Sequence, residues 1–178
     1  MSDQRARVLD AAIDVLAEGG SRALTHRAVD ARAGVPLGTT SNHFRSRAQL
    51  VGGVADELER RDAALVADLA QGSVSRESIP GLVAELARRQ VADPAPHRAR
   101  FALALEPGVD LSAQHDRLLA LATGLLADAR VPDPALRARM LTDLIDGAVL
   151  HAVTLPGRGI DPEQIAGAAE LLLRDARE

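Results

Sequence analysis

The sequence predicts an all-α fold of about nine helices. Three observations carry that expectation. Apolar residues make up 47% of the chain, much of it Ala and Leu, while aromatics make up 1%. Helices favour Ala and Leu, whereas strands draw on β-branched and aromatic side chains. Apolar positions recur at helical spacing along the chain, and Gly and Pro gather in short breaks between those stretches.

The first helix is expected over about Arg5 to Glu18, with Val8, Ala12, Val15 and Leu16 on one face, ending at Gly19-Gly20. Two short helices follow between Thr25 and Phe44, separated at Ala33-Gly34-Val35. Ser46 is an expected N-cap for a longer helix, which runs through Leu50, Val54, Leu58, Leu65 and Leu69 to about Gln71. Gly72 to Ser78 reads as a loop, and Pro80 opens a helix to about Gln90. Pro94 and Pro96 are expected to interrupt before a helix from His97 to Glu106, which Pro107-Gly108 ends. Ser112 to Ala129 is the next. Asp133-Pro134 and Asp161-Pro162 each place a capping carboxylate before a first-turn proline, and Pro156-Gly157-Arg158-Gly159 breaks the chain between those last two helices. No internal repeat or low-complexity linker is evident. The expected division is a small module over 1–50 and a larger helical body over 51–178.

Composition narrows the function classes. Cysteine is absent, which excludes disulfides and thiol chemistry and suits a cytoplasmic protein. No window approaches the roughly 20 apolar residues of a membrane span, and the first residues, MSDQRARVLD, hold no secretory signal, so no membrane partner is expected. The net charge of −4 is unevenly placed: residues 1–50 carry seven arginines against five acids, the remainder fourteen basic against twenty acidic groups. A polyanion would meet the first segment and be repelled by the rest.

That segment carries the functional signal. In THRAVDARAGVPLGTTSNHF, Thr25 can cap the first short helix through its hydroxyl, and Gly34 permits a sharp turn because it lacks a Cβ. Val29, Ala33 and Val35 supply the small apolar contacts between two steeply crossed helices. The second helix would expose Thr39, Asn42 and His43, short hydrogen-bonding side chains suited to phosphates and base edges. This is the pattern of a helix-turn-helix that lays its second helix in a DNA groove.

Together with Arg5–Glu18, Gly19-Gly20 and Ser46–Leu50, these residues resemble the tetracycline-repressor (TetR) family of bacterial transcriptional regulators over roughly the first 50 residues. The remainder resembles the family only in being all helical. The resemblance implies a DNA-reading head on a helical body, a homodimer paired through the last two helices, and a small effector that enters the body and releases the operator. It carries the DNA-facing role onto Thr25, His26, Arg27, Leu37, Gly38, Thr39, Ser41, Asn42, His43 and Arg47. Arg47 takes the place of a phosphate-gripping basic residue, and Phe44 that of a buried aromatic holding the recognition helix. Two positions depart from the family: Ser41 replaces a usual Tyr, removing a large contact, and Thr40 replaces a usual Leu, which is expected to weaken the helix's packing.

The last two helices carry apolar surface in excess of one packed face. Leu136, Met140, Leu144, Ala148 and His151 form one row, and Leu141, Ile145, Val149 and Ala152 the adjacent one. Ile165, Ala168, Ala169, Leu172 and Leu173 repeat the pattern, so pairing with a second copy is expected. Phe101, Leu105, His115 and His151 are candidates for an effector pocket, whose aliphatic character would suit an apolar or amphipathic ligand. The five histidines lack metal-ligand spacing, and Ser41 and His43, two residues apart on a helix, would point to different faces. No metal, cofactor or enzymatic activity is expected. The reading is a ligand-released repressor, nucleoid-associated, binding a palindromic operator in double-stranded DNA. The alternatives are a ligand-independent activator, or a small all-α carrier or enzyme whose motif is accidental.

Overall fold

The computed structural model describes residues 2–72 and 74–174. Nine α-helices and no strand lie among them. Helix α1 spans Ser2–Gly19 and buries Val8, Leu9, Ala12, Ile13 and Leu16. A 3₁₀ turn over Ser21–Ala23, which no periodicity marks in the sequence, leads into α2 (His26–Ala33) and α3 (Thr39–His43). These are followed by α4 (Arg47–Leu69), α5 (Ile79–Ala92), α6 (Pro94–Ala104), α7 (Ser112–Asp128), α8 (Pro134–Thr154) and α9 (Pro162–Leu173).

Prolines mark four of these starts, one of them against expectation. Pro94 and Pro96 open α6 instead of interrupting the chain. The first N–H groups of a helix have no carbonyl partner within it, so residues lacking that hydrogen cost nothing there. The two Asp-Pro pairs also differ. The Asp161 side chain accepts from the N–H groups of Glu163 at 3.0 Å and Gln164 at 3.4 Å, as expected of a cap. Asp133 does not cap α8: its backbone is left-handed, with φ 48°, and its carboxylate makes no capping bond.

The chain forms two compact units. The first holds residues up to Arg60 together with Pro94 to Leu111; the second holds Arg61 to Asp93 and the chain from Ser112 onward. Both units are thus discontinuous in sequence. Leu50, Val51, Val54 and Leu58 of α4 belong to the first unit's core, beside Leu24, Val29 and Phe44. Ala99 and Leu103 of α6 join the same core, where α6 lies along α1.

In the second unit α5 packs against α8 and α9, and α7 against α8. Leu141, Ile145, Val149 and Val153 form the buried row of α8, facing a core that includes Val83, Ala87, Ile165, Ala169 and Leu173. Arg137 is buried there, and its guanidinium donates to the carbonyls of Pro132, Leu172 and Arg174. The last two belong to the end of α9, where helix carbonyls lack partners and a cation is favoured. The other apolar row of α8 remains uncovered: Leu136 and Met140 are exposed, and Leu144 and Ala148 are half-buried. Leu171 of α9 is exposed as well.

Candidate nucleic-acid interface

Helices α2 and α3 form a helix-turn-helix whose local geometry follows from its caps. Thr25 adopts an extended backbone, and its Oγ1 accepts the Ala28 N–H at 3.1 Å, starting α2. Gly34 ends α2 in the left-handed region, with φ 62°, and its N–H returns to the carbonyls of Ala31 and Asp30. The approach to α3 is a tight turn closed by Thr39 N–H donating to the Pro36 carbonyl at 3.1 Å. Gly38 sits third in that turn with φ 92° and ψ −9°, the values that position takes in a type II turn and that favour glycine.

The bond network that joins the two helices centres on Asp30. It is 1% exposed, on the inner face of α2. One carboxylate oxygen accepts the Gly38 N–H at 2.7 Å; the other accepts the Thr40 N–H at 2.8 Å and the Thr40 hydroxyl at 2.6 Å. Gly38 itself offers no capping side chain, so a residue eight positions earlier caps the recognition helix. Burial acts to raise the Asp30 pKa, but the Thr40 hydroxyl, the two N–H bonds and nearby His26 outweigh it and hold the carboxyl below its ordinary value. Thr40, expected to weaken packing, is instead fully buried and is the donor that fixes the helix.

The other end of α3 is held by Phe44. Its ring is buried against α4, where a Cβ on Gly53 would lie 2.3 Å from the ring's Cε1. The Arg5 guanidinium lies 5.3 Å from the ring centroid, close enough for cation–π attraction. The Phe44 carbonyl is 2.7 Å from His26 Nε2. A carbonyl only accepts, so Nε2 supplies the hydrogen of that bond. Arg7 donates to the Ala33 carbonyl at 3.0 Å, tying α1 to the end of α2.

Against this frame the ten expected DNA-facing residues divide. Arg27, Leu37, Gly38, Ser41 and Asn42 are exposed. Thr25 is exposed too, though its hydroxyl is engaged in the cap. His26 and His43 are half-buried. Thr39 does not project outward as expected: it is buried, and its hydroxyl donates to the Pro36 carbonyl at 2.7 Å, closing the turn. Arg47 begins α4 with its guanidinium already bound, to both oxygens of Glu106 at 2.6 and 2.9 Å and to the Ser21 carbonyl at 2.8 Å.

The expected pocket residues are placed less favourably. Phe101 is half-buried, whereas Leu105 is 83% exposed and His115 and His151 lie at the surface. On α6 the inward position is taken by Leu103, and Leu105 falls just past the helix's end at Ala104. Among the described residues no group of three or more His, Asp and Glu side chains is placed to hold a metal ion, and no helix is long and apolar enough to cross a membrane.

Sequence reasoning did not single out Asp30 or Gly53. For Asp30 the only signal was an acid inside a segment otherwise suited to a polyanion. Nothing local marked Gly53, whose need for a bare Cα arises from Phe44, nine residues away.

Comparison with known proteins adds the following. Residues 74–177 match the family model of tetracyclin repressor-like C-terminal domains, and residues 8–54 match that of bacterial regulatory proteins of the tetR family. The fold is similar to that of a TetR-family member from Streptomyces coelicolor A3, with TM-score 0.80 and 24% identity over 97% of this chain and 99% of that one. It is also similar to a TetR-like transcriptional regulator from Rhodococcus sp. RHA1, with TM-score 0.74 and 19% identity over 97% of this chain and 94% of that one. A third is the multidrug binding protein EbrR complexed with ethidium, with TM-score 0.73 and 26% identity over 97% of this chain and 100% of that one. Comparison with curated protein sequences gives no match.

Proposed function

We propose that this chain, which belongs to the tetR family of bacterial regulatory proteins, represses transcription by binding a palindromic DNA operator as a homodimer and leaves it when a small molecule occupies the C-terminal body. The observation that carries the reading is the Asp30-centred lock of α3 on α2, which leaves Leu37, Ser41 and Asn42 facing solvent. A preorganised short helix with polar side chains outward is what major-groove reading requires.

Two further features support the finer parts. The uncovered row of Leu136, Met140 and Leu144 on α8, with Leu171 on α9, gives a second copy an apolar surface to bury. An isologous pair built this way presents two heads, so the half-sites would lie about one DNA turn, roughly 34–36 Å, or a multiple of it apart. EbrR is a multidrug binding protein seen with ethidium and with malachite green, which favours an effector-bound state in this relative as well. The effector here would be apolar or amphipathic, in keeping with the aliphatic composition, and must favour the state that releases DNA. A cytoplasmic location follows from the role.

Genomic fragments retained by the protein at low salt, once sequenced, supply the operator. Anisotropy titrations of that duplex against a scrambled one should give a large preference and two chains per duplex. Equal affinity for both duplexes would overturn the reading. Expression of the adjacent genes should rise on deletion of this one; a fall would replace repression by activation.

A further inference from the structure

We infer that Leu37 reads the C5-methyl group of a thymine in each operator half-site, making this residue a determinant of sequence preference; the inference rests on the DNA-binding reading above. Leu37 is 76% exposed, and in the first compact unit only Leu105 matches it as an exposed large apolar side chain among the described residues. Its neighbours on the same surface are Gly38, Ser41 and Asn42, none of them apolar and bulky. An isobutyl group offers phosphate oxygens nothing, since they bind donors and cations. Within the major groove the apolar feature of the base edges is the thymine methyl.

The side chain is also held in place from both directions. Pro36 precedes it with a ring-fixed φ, and Gly38 follows with φ 92°. Thr39 closes the turn around it through two bonds to the Pro36 carbonyl, from N–H at 3.1 Å and from Oγ1 at 2.7 Å. The Gly38 N–H is fixed to Asp30. Leu37 therefore sits at the tip of a rigid turn directly before the recognition helix, and its exposure does not come from a loose loop. Asn42, five residues on and exposed, is suited to the N6 and N7 edge of adenine. Among the described residues α3 itself carries no Arg or Lys for guanine. The surface thus favours A·T pairs at the positions it touches.

The test uses the full chain and the operator recovered by genomic selection. Each thymine in turn is replaced by deoxyuridine, which removes the methyl and keeps the pairing edge. Binding by the natural chain should weaken roughly three- to fivefold at one thymine per half-site, the effect of uncovering about one methyl group. Leu37→Ala, present in both chains of the dimer, should lose about the square of that factor on the thymine operator, roughly nine- to twenty-fivefold, and become indifferent to the deoxyuridine at that position. Its melting temperature should not move, because the side chain is exposed. Tight operator binding that ignores deoxyuridine at every position would overturn the inference, as would a Leu37→Ala variant that keeps the full deoxyuridine sensitivity. Failure to bind any duplex would instead overturn the DNA-binding reading, and this inference with it.

Discussion

The hydroxyl of Thr40 lies 2.6 Å from the Asp30 carboxylate, and both side chains are buried. Through that contact the angle between α2 and α3 depends on one acid. Asp30→Asn keeps the shape but sets an amide hydrogen against one of the donors that the carboxylate now satisfies. Loss of a charged hydrogen bond in a buried site costs about 1.5–3 kcal/mol. The head should melt at a lower temperature, and operator affinity should fall even though the variant removes a negative charge near DNA. An unchanged melting profile would mean the carboxylate is dispensable.

The same group makes the head acid-sensitive. Its pKa is lowered in the folded state from an ordinary value of 3.8, so its contribution is complete above that value and disappears as pH falls through the folded one. Thr40→Val removes the hydroxyl donor, which is among the causes of the lowering. The Asp30 carboxyl should then titrate at a higher pH, and acid unfolding of the head should begin earlier. Carbon-detected titration of the Asp30 side chain in both proteins measures this directly; coincident curves would remove the hydroxyl from the account.

Gly53 and Gly52 offer a paired substitution. A Cβ on Gly53 would fall 2.3 Å from Phe44 Cε1 and 2.9 Å from Cζ, while one on Gly52 meets nothing within 4 Å. Gly52→Ala should stabilise the chain by roughly 0.5–1 kcal/mol through helix propensity. Gly53→Ala should lose more than that gain, since overpacking costs about 1–3 kcal/mol. It should also weaken operator binding, because the displaced ring belongs to the residue that ends α3. Denaturant unfolding of the two variants decides the matter, and equal stabilisation by both would show that the ring moves freely.

The parts of the head legible in the sequence are those whose causes are local. Thr25 caps the helix that starts beside it, and Gly34 supplies a left-handed residue where the chain turns. The Asp30 lock was not legible because its donors lie eight and ten residues on, a spacing set by the turn and matching no helical period. Thr39 and Thr40 show the same limit: adjacent and alike in type, both turn inward, one to close the turn and the other to meet Asp30. At α8 and α9, identical Asp-Pro pairs gave one cap and one left-handed residue, since capping depends on how the preceding backbone arrives. The surplus apolar row of α8 was visible because periodicity reports faces directly. The exposure of Leu105 and His115 was not, since Leu105 falls just past the end of α6 and the outward side of α7 is set by a helix rotation that residue type alone does not encode.

Arg47 joins the head to α6, and that contact sets its availability to DNA. Its fork on Glu106 and its bond to the Ser21 carbonyl occupy the donors that a phosphate would use. The Arg47 hydrogen bonds hold the Glu106 carboxyl below its ordinary pKa, so the pair persists at neutral pH. As a half-exposed ion pair it contributes only about 0–1 kcal/mol to stability, little enough for a phosphate to displace. Glu106→Gln should therefore free the guanidinium, strengthen binding to operator and random duplex alike, and steepen the dependence of log affinity on log salt by about one unit. Arg47→Ala in that background should return the slope to its starting value. If Glu106→Gln leaves the slope where it was, Arg47 does not reach phosphate, and its role is confined to fastening α4 to α6.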